Sequence, residues 1–571
     1  MALSASLLLL VSASAVIAAD PFAAIQSVTQ EQWDALNATV GGGLFQAAPF
    51  ARPCFENANV TTGTFDPDQC QIVQANYLNA TFRSGLPGNY EGTQWEGCPA
   101  TGQSCLLDTN NPFSPAPFTG RVCAQGSVSD YFLNIREAAD VQAAFAFAEE
   151  TGVRVVIKNS GHDSMGRSAG PNTLALRTTD LKNLTFIPEW VPEGCDSGVA
   201  ARPVAAVGAG VTFEASYPFG EEHNVSFPGG ACPTVSPGGG YTLGGGHGMM
   251  VNAFGLGADR ALQFKVVTPS GEFLTANECQ NTDLWFALRG GGGGTFGVVL
   301  ETISLALPRD PVQMIQIQDF EASDENIRAY MKIVIEHTKE WALQGWGGFV
   351  QLTEFQYINP LISEDEAKTA MQPLVDWATS VNATIIQKTH DSYVTYWAEF
   401  LAPVDSPTGL PFSVASRLIP DTNFDTEEAR EELLNTTLEV AAGHDAWFGF
   451  ATTPYRFGED ENTSATPAWR NSLWHAIVED FWNFDTTAGQ QLQILKNLTS
   501  SMDGYRRIAP NSGSYLNEAD IFEPDFAQSF WGSNYDRLVS IKEKYDPNHL
   551  LDCWHCVSFK GEDDAAFKCY L

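Results

Sequence analysis

Between residues 137 and 152, in EAADVQAAFAFAEETG, Val141, Phe145 and Ala148 fall on one helical face and Gly152 supplies a stop. A helix is expected there, followed at once by the apolar strand RVVIK (154–158). A second strand, VAAVGAGV, is expected over 204–211, and FKVVTPSGEFLTA (264–276) reads as a hairpin turning at Pro269–Gly271. Such helix-then-strand units suggest sheets covered by helices.

Past Pro308 the pattern changes. Residues 311–504 carry aromatic-rich strands such as GFVQLTEFQYI (348–358) and WFGFATTPYRFG (447–458), interleaved with amphipathic helices. Two of these helices have capping-box starts, Ser363 with Glu366 and Asp425 with Glu428. An antiparallel sheet with helices on one face fits this stretch. A last helix is expected at about 531–545, broken at Asp546-Pro547. The fold class is therefore α+β with two domains, since 571 residues exceed one core. Residues 20–115 are rich in Pro, Gly and Cys, and read as an arm stapled to the first domain.

The first 19 residues hold the run LLLLVSASAVIAA, which reads as a secretory signal peptide cut after Ala18 or Ala19, although no Lys or Arg precedes the run. No later apolar run reaches the ~18 residues of a membrane span. Nine N-x-S/T sequons, at Asn37, Asn59, Asn79, Asn183, Asn224, Asn382, Asn435, Asn462 and Asn497, agree with an extracellular glycoprotein. A net charge of −37 excludes a general nucleic-acid binder, gives no attraction to anionic membranes and disfavours anionic substrates. There are eleven cysteines, so one is left over when the rest pair. Cys553 and Cys556 suggest a disulfide in preference to a metal site, because no second ligand pair accompanies them.

The candidate chemistry lies in two loops, NSGHDSMGRS (159–168) and FPGGACPTVSPGGGYTLGGGHG (227–248). Glycine lacks a Cβ, so loops this dense in it bring backbone N–H groups close to a ligand, typically a diphosphate. No G-x-G-x-x-G here follows a strand and opens a helix, which weighs against a Rossmann site.

These two loops, together with LWFALRGGGGGTFGVVLETISLAL (284–307), YLNEAD (515–520) and the tail to Cys556, resemble the vanillyl-alcohol-oxidase/berberine-bridge-enzyme superfamily. The resemblance implies a PCMH-type FAD-binding domain over 116–310, a substrate domain over 311–504 roofing the flavin, and a return to the FAD domain over 505–571. It implies FAD bound twice covalently, through His162 and Cys232, which gives the odd cysteine its role and leaves ten to form up to five disulfides. Both side chains are nucleophiles towards an electron-poor ring.

The same resemblance places Asn159, Ser160, Gly161, Asp163, Ser164, Gly166, Val235, Gly239, Gly240, Gly244, Gly245, Gly246 and Asn517 against the cofactor. Of the residues flanking the loops, Asp163 and His247 read as structural. Tyr515 is implied as the general base, which requires a cationic or hydrogen-bonding neighbour to lower a phenol from ~10. His475 is a further catalytic candidate, positioning a substrate oxygen from the roof, whereas Tyr357, Tyr393 and Tyr396 read as core. Val235, three residues past Cys232, implies dioxygen as acceptor and hydrogen peroxide as product. Ser236, in place of the family's common glycine, and a longer spacing from Cys232 to the glycine triplet resemble a fungal branch. The competing expectation is a dehydrogenase or tailoring enzyme with another acceptor. The partners expected are a small-molecule substrate and O2, with no metal.

Overall fold

The computed structural model describes residues 21–196, 198–403, 408–458, 460 and 462–570. The expected signal peptide lies outside them. No helix among the described residues is long and apolar enough to cross a membrane.

The first expected unit forms as read. Strand Tyr131–Asn134 leads into helix Ala138–Thr151, which Gly152 ends at φ 72° with its N–H on the Ala148 carbonyl. Strand Arg154–Lys158 follows, and strand Thr173–Arg177 lies between the two, parallel to both. The helix buries Val141, Ala144, Phe145 and Ala148 against Leu133, Val155, Leu174 and Leu176. All five residues of Thr173–Arg177 are buried, as a parallel strand covered on both faces should be. Leu44–Gln46 completes this four-stranded sheet.

A five-stranded antiparallel sheet follows, in the order Phe273–Asn277, Ala261–Val267, Val298–Leu305, Arg202–Gly208, Leu184–Trp190. Its first two strands are the expected hairpin, closed where Gly271 at φ 83° donates to the Thr268 carbonyl at 2.8 Å.

Seven antiparallel strands build the third sheet: Thr384–His390, Val312–Gln318, Phe355–Asn359, Gly347–Val350, Ala446–Ala451, Ser472–Phe481 and Phe412–Pro420. Helices Asp324–Gln344, Glu364–Ser380, Glu427–Ala441 and Ala488–Ser501 cover one face, around a core that includes Tyr330, Met371, Leu433, Trp474 and Leu498. The other face looks onto the glycine loops and forms a roof.

Several boundaries differ from the sequence reading, among them strand 204–211, which spans Arg202–Gly208, and the run 447–458, which is strand only as far as Ala451. The run 348–358 is two strands, because Gln351–Glu354 turns back on itself with a 2.7 Å bond from Gln351 N–H to the Glu354 carbonyl. The helix after Phe424 is capped by Thr426, whose hydroxyl accepts from Ala429 N–H at 3.1 Å, while Asp425 is drawn to Lys339 at 2.6 Å. The last long helix is Tyr535–Tyr545, because Gly532 at φ 53° ends a separate helix, Phe526–Trp531. The Ser363–Glu366 capping box and the stop at Asp546 stand as expected.

Ten cysteines form five disulfides, Cys54–Cys70, Cys98–Cys569, Cys105–Cys123, Cys195–Cys279 and Cys553–Cys556; Cys232 takes part in none of them. Cys98–Cys569 ties the arm to the C-terminus. Within the arm, the fully buried Arg83 pairs with Glu96 and donates to the Tyr90 carbonyl at 2.9 Å, and Tyr90 Oη and Trp95 Nε1 donate to the Ser168 and Ser164 carbonyls at 3.0 and 2.9 Å, which holds segment 90–96 against the first loop.

Candidate functional site

A cavity of about 560 Å³ lies between the two glycine loops and the bare face of the roof sheet, a size usual for small-molecule sites. Of the site residues named from the sequence, Asn159, Ser160, Gly161, His162, Asp163, Ser164, Cys232, Val235, Gly239, Gly240, Tyr515 and Asn517 line it. Gly166 does not. It sits at φ 72° against Trp95 and Tyr570, where any side chain would collide. Gly244, Gly245 and Gly246 lie behind the wall, beneath Asn517, Tyr515 and Tyr241 respectively.

Two side-chain bonds lock the loops together. His162 Nε2 meets Thr234 Oγ1 at 2.6 Å, and Ser236 Oγ donates to Asn159 Oδ1 at 2.9 Å. Thr234 is two residues from Cys232, so the imidazole and the thiol open into one cavity. Ser236, the sequence's departure from a glycine, is thereby a strut between the loops. Burial, with Lys158 adding to it, lowers the His162 pKa to about 4. The ring is neutral near pH 7, and with Nε2 taken by Thr234 its other nitrogen is the one left to react. Burial also brings Lys158 down to about 7.

Where Gly239, Gly240, Gly293 and Gly294 line the cavity, backbone faces it directly. Beside them Arg167 Nη1 is buried with no hydrogen-bond partner among the described residues. Exposed backbone and a spare guanidinium N–H suit a ligand with phosphate and ring heteroatoms.

Tyr515 is buried, and its oxygen accepts from Asn517 Nδ2 at 2.8 Å and Gly246 N–H at 3.3 Å. Arg167 Nη2, 3.1 Å from Asn517 Oδ1, fixes the orientation of that amide. Burial, reinforced by the charge of Glu518, pushes the phenol well above its ordinary value, and the two donors do not offset this. The expected hydrogen-bonding neighbour is present, but the nearest charge is an anion. Tyr515 therefore keeps its proton, and with both acceptor positions filled it offers a donor to the cavity.

A residue that the sequence reading treated as structural supplies the better acceptor. His247 Nε2 lies 2.9 Å from Glu518 Oε2, and its Nδ1 lies 2.9 Å from Thr452 Oγ1; all three residues line the cavity. Burial alone would raise Glu518, but His247 and His475 hold it below the usual carboxylate range. Glu518 is partly exposed and lines the cavity. His475 is fully buried behind the wall, its Nδ1 3.7 Å from Glu518, and burial lowers it to about 3. It packs edge-on against His247 and Tyr515 and does not face the cavity, contrary to the expectation that it touches substrate. His247, His475 and Glu518 each offer an atom within 4.8 Å of the others, and the bond between His247 and Glu518 makes this a proton network. Glu518, inside YLNEAD, and His247, inside GGGHG, were visible as residues, but their partnership across 271 positions was not. Tyr357, Tyr393 and Tyr396 are core, as read.

A glycine-floored cavity under an antiparallel roof suits a large phosphate-bearing cofactor, and comparison with known proteins shows the class to be a flavin-binding oxidoreductase. A family profile described as "FAD binding domain" matches residues 129–277, and one described as "Berberine and berberine like" matches 514–553. The FAD-linked oxidoreductase ffsJ of Aspergillus flavipes is 36% identical over 95% of this chain and 94% of its own length. The VAO-type flavoprotein MtVAO615 of Myceliophthora thermophila C1 superposes with a TM-score of 0.82 at 26% identity, covering 93% of this chain and 95% of that one. A glucooligosaccharide oxidase from Acremonium strictum shares the fold at a TM-score of 0.61 and 18% identity, over 75% of this chain and 91% of its own. The chain belongs to the FAD-linked oxidoreductases of the berberine-bridge-like, VAO-type family, and FAD is its cofactor.

Proposed function

We propose that this chain is a secreted flavoprotein oxidase that takes a hydride from an alcohol, hemiacetal or related carbon centre onto doubly linked FAD and passes the electrons to O2, releasing H2O2. The observation that carries the reading is the 2.6 Å bond from His162 to Thr234, which sets an imidazole and a thiol on two loops facing one cavity. The glucooligosaccharide oxidase named above carries 6-S-cysteinyl, 8α-N1-histidyl FAD, the same pair of residue types. Five disulfides and nine sequons support an extracellular setting.

Bound FAD supplies the two-electron chemistry. His162 and Cys232 would hold its ring, while the Arg167 guanidinium and the glycine backbone N–H groups would donate to its polar groups. Tyr515 donates a hydrogen bond to the substrate oxygen and orients it. The proton that must leave passes through the Thr452 hydroxyl to His247 Nδ1, where Glu518 stabilises the imidazolium. Aromatic roof residues such as Phe349 and Phe450 exclude water above the reacting carbon. Val235 lines the wall near Cys232, with a side chain small enough to leave room for O2.

The test is a screen of alcohols, sugars and aromatic alcohols for peroxide release in air. Peroxide formed in step with substrate loss is expected. Flavin that is reduced by a substrate but stays reduced in air would contradict the oxidase and point to another acceptor.

A further inference from the structure

We propose that the roof carries a site for a protonated amine, in which Glu479, walled by Phe412 and Phe448, binds a basic nitrogen of the substrate.

Glu479 lies on strand Ser472–Phe481, whose side chains alternate. Trp474, Ala476 and Val478 enter the helix-covered core, while Ile477 and Glu479 line the cavity. The cross-strand neighbours of Glu479 are Val414 and Ala446, neither of which has a polar side chain. One pleat away on either side stand Phe448, opposite Ile477, and Phe412, opposite Phe481, and both line the cavity. The carboxylate thus sits between two aromatic rings, the surroundings that favour an organic cation.

It also lacks a partner. Among the described residues no hydrogen bond or ion pair reaches the Glu479 carboxyl, and the only charge bearing on it is another anion, Glu518. Burial, with Glu518 adding to it, pushes that carboxyl up to about 7. Among the other raised acids, Glu91 accepts from Thr408, Asp130 from Asn172, and Asp520 from Phe522 and Thr499, while Asp552 has the cations Arg154, Lys560 and Lys542 bearing on it. Glu354, the other acid that the roof sheet and its turns supply to the cavity, is engaged by Gln316 at 2.8 Å. The roof sheet contributes no Lys or Arg to the cavity, and Arg167, at the floor, bonds Asn517 and Asp163 and is not among the charges bearing on Glu479. An acid left without a counter-charge in an apolar recess is costly unless a ligand brings the charge or donor it needs. A substrate ammonium does so.

This deepens the preceding reading, since the same cavity is meant, but it is tested by binding and not by turnover. The oxidised holoenzyme is titrated with 2-phenylethylamine and with its uncharged counterpart 2-phenylethanol, following the visible flavin difference spectrum. The titrations are run near pH 8, above the shifted value of Glu479 and below the ~10 of an alkylammonium. The amine is expected to bind at least ~10-fold more tightly, the gain of a charge-assisted contact over a neutral one. That preference should vanish in Glu479→Gln with the flavin spectrum intact, and persist in Glu479→Asp. It should also weaken as pH falls through about 7, because Glu479 takes up a proton; its strand neighbours carry no charge, and Glu518 is already ionised. Equal binding of the two probes, no binding of either, or a preference unchanged in Glu479→Gln would overturn the amine site. Amine binding without peroxide from any substrate would instead count against the oxidase alone.

Discussion

His162 can act as a nucleophile only when neutral, and its buried position beside Lys158 keeps it so at ordinary pH. His162→Ala and Cys232→Ala should each leave flavin bound through the remaining link, so that acid-precipitated protein stays yellow; flavin released from either variant would show that the assignment is wrong. At Tyr515 the sequence suggested a base and the structure supplies a donor, because what decides between them is the set of groups filling its oxygen, and Gly246 lies 269 positions away. Tyr515→Phe should therefore slow flavin reduction by ~10-fold, the loss of one hydrogen bond, whereas His247→Gln should slow it by ~10²-fold or more. Stopped-flow reduction under anaerobic conditions checks the order, and a larger loss in Tyr515→Phe would return the base to the phenol. His475 adds a pH dependence. Its pKa falls from 6.5 unfolded to about 3 folded, so the stability it contributes is complete above 6.5 and is lost as pH falls towards 3. Thermal melts of His475→Phe should show a shallower acid limb than the wild type.

Among elements, those with a strong period or a clear stop could be read from the sequence. Helix Ala138–Thr151, strand Arg154–Lys158 and the hairpin at Gly271 all rest on local signals. The turn inside 348–358 could not be read, because Leu352 and Thr353 look like strand residues and only the pairing of Gly347–Val350 with Phe355–Asn359 bends the chain there. Thr426 took the cap from Asp425 for a similar reason, since a distant Lys339 claimed the carboxylate. The glycine loops were legible as a cradle but not as two populations. Some of these glycines face the cavity, and others exist for packing. Gly248 does both: it lines the cavity, and a Cβ on it would strike the Gly229 backbone, where the loop closes on itself. Gly248→Ala should destabilise the protein by ~1–3 kcal/mol, read as a lower melting temperature together with weaker flavin retention. A melting temperature equal to wild type would show that the closure is looser than described.

At the scale of the whole molecule, residues 91–94, the two glycine loops, the roof sheet and residues 515–518 meet at one cavity. The arm was legible as a stapled segment but not as part of the site, where Glu91, Gly92 and Gln94 form one wall. Cys98–Cys569 spans 471 positions and holds the arm to the C-terminal tail. Cys98→Ser should cost ~2–5 kcal/mol of stability, visible as a lower denaturation midpoint; an unchanged midpoint would mean that the arm is held by packing alone. One flavin ring gripped from both loops is tested most directly by mass spectrometry of a tryptic digest of the denatured holoenzyme. A single flavin joining the His162 peptide to the Cys232 peptide is the result expected. A flavin on only one of the two peptides, or on neither, would contradict it.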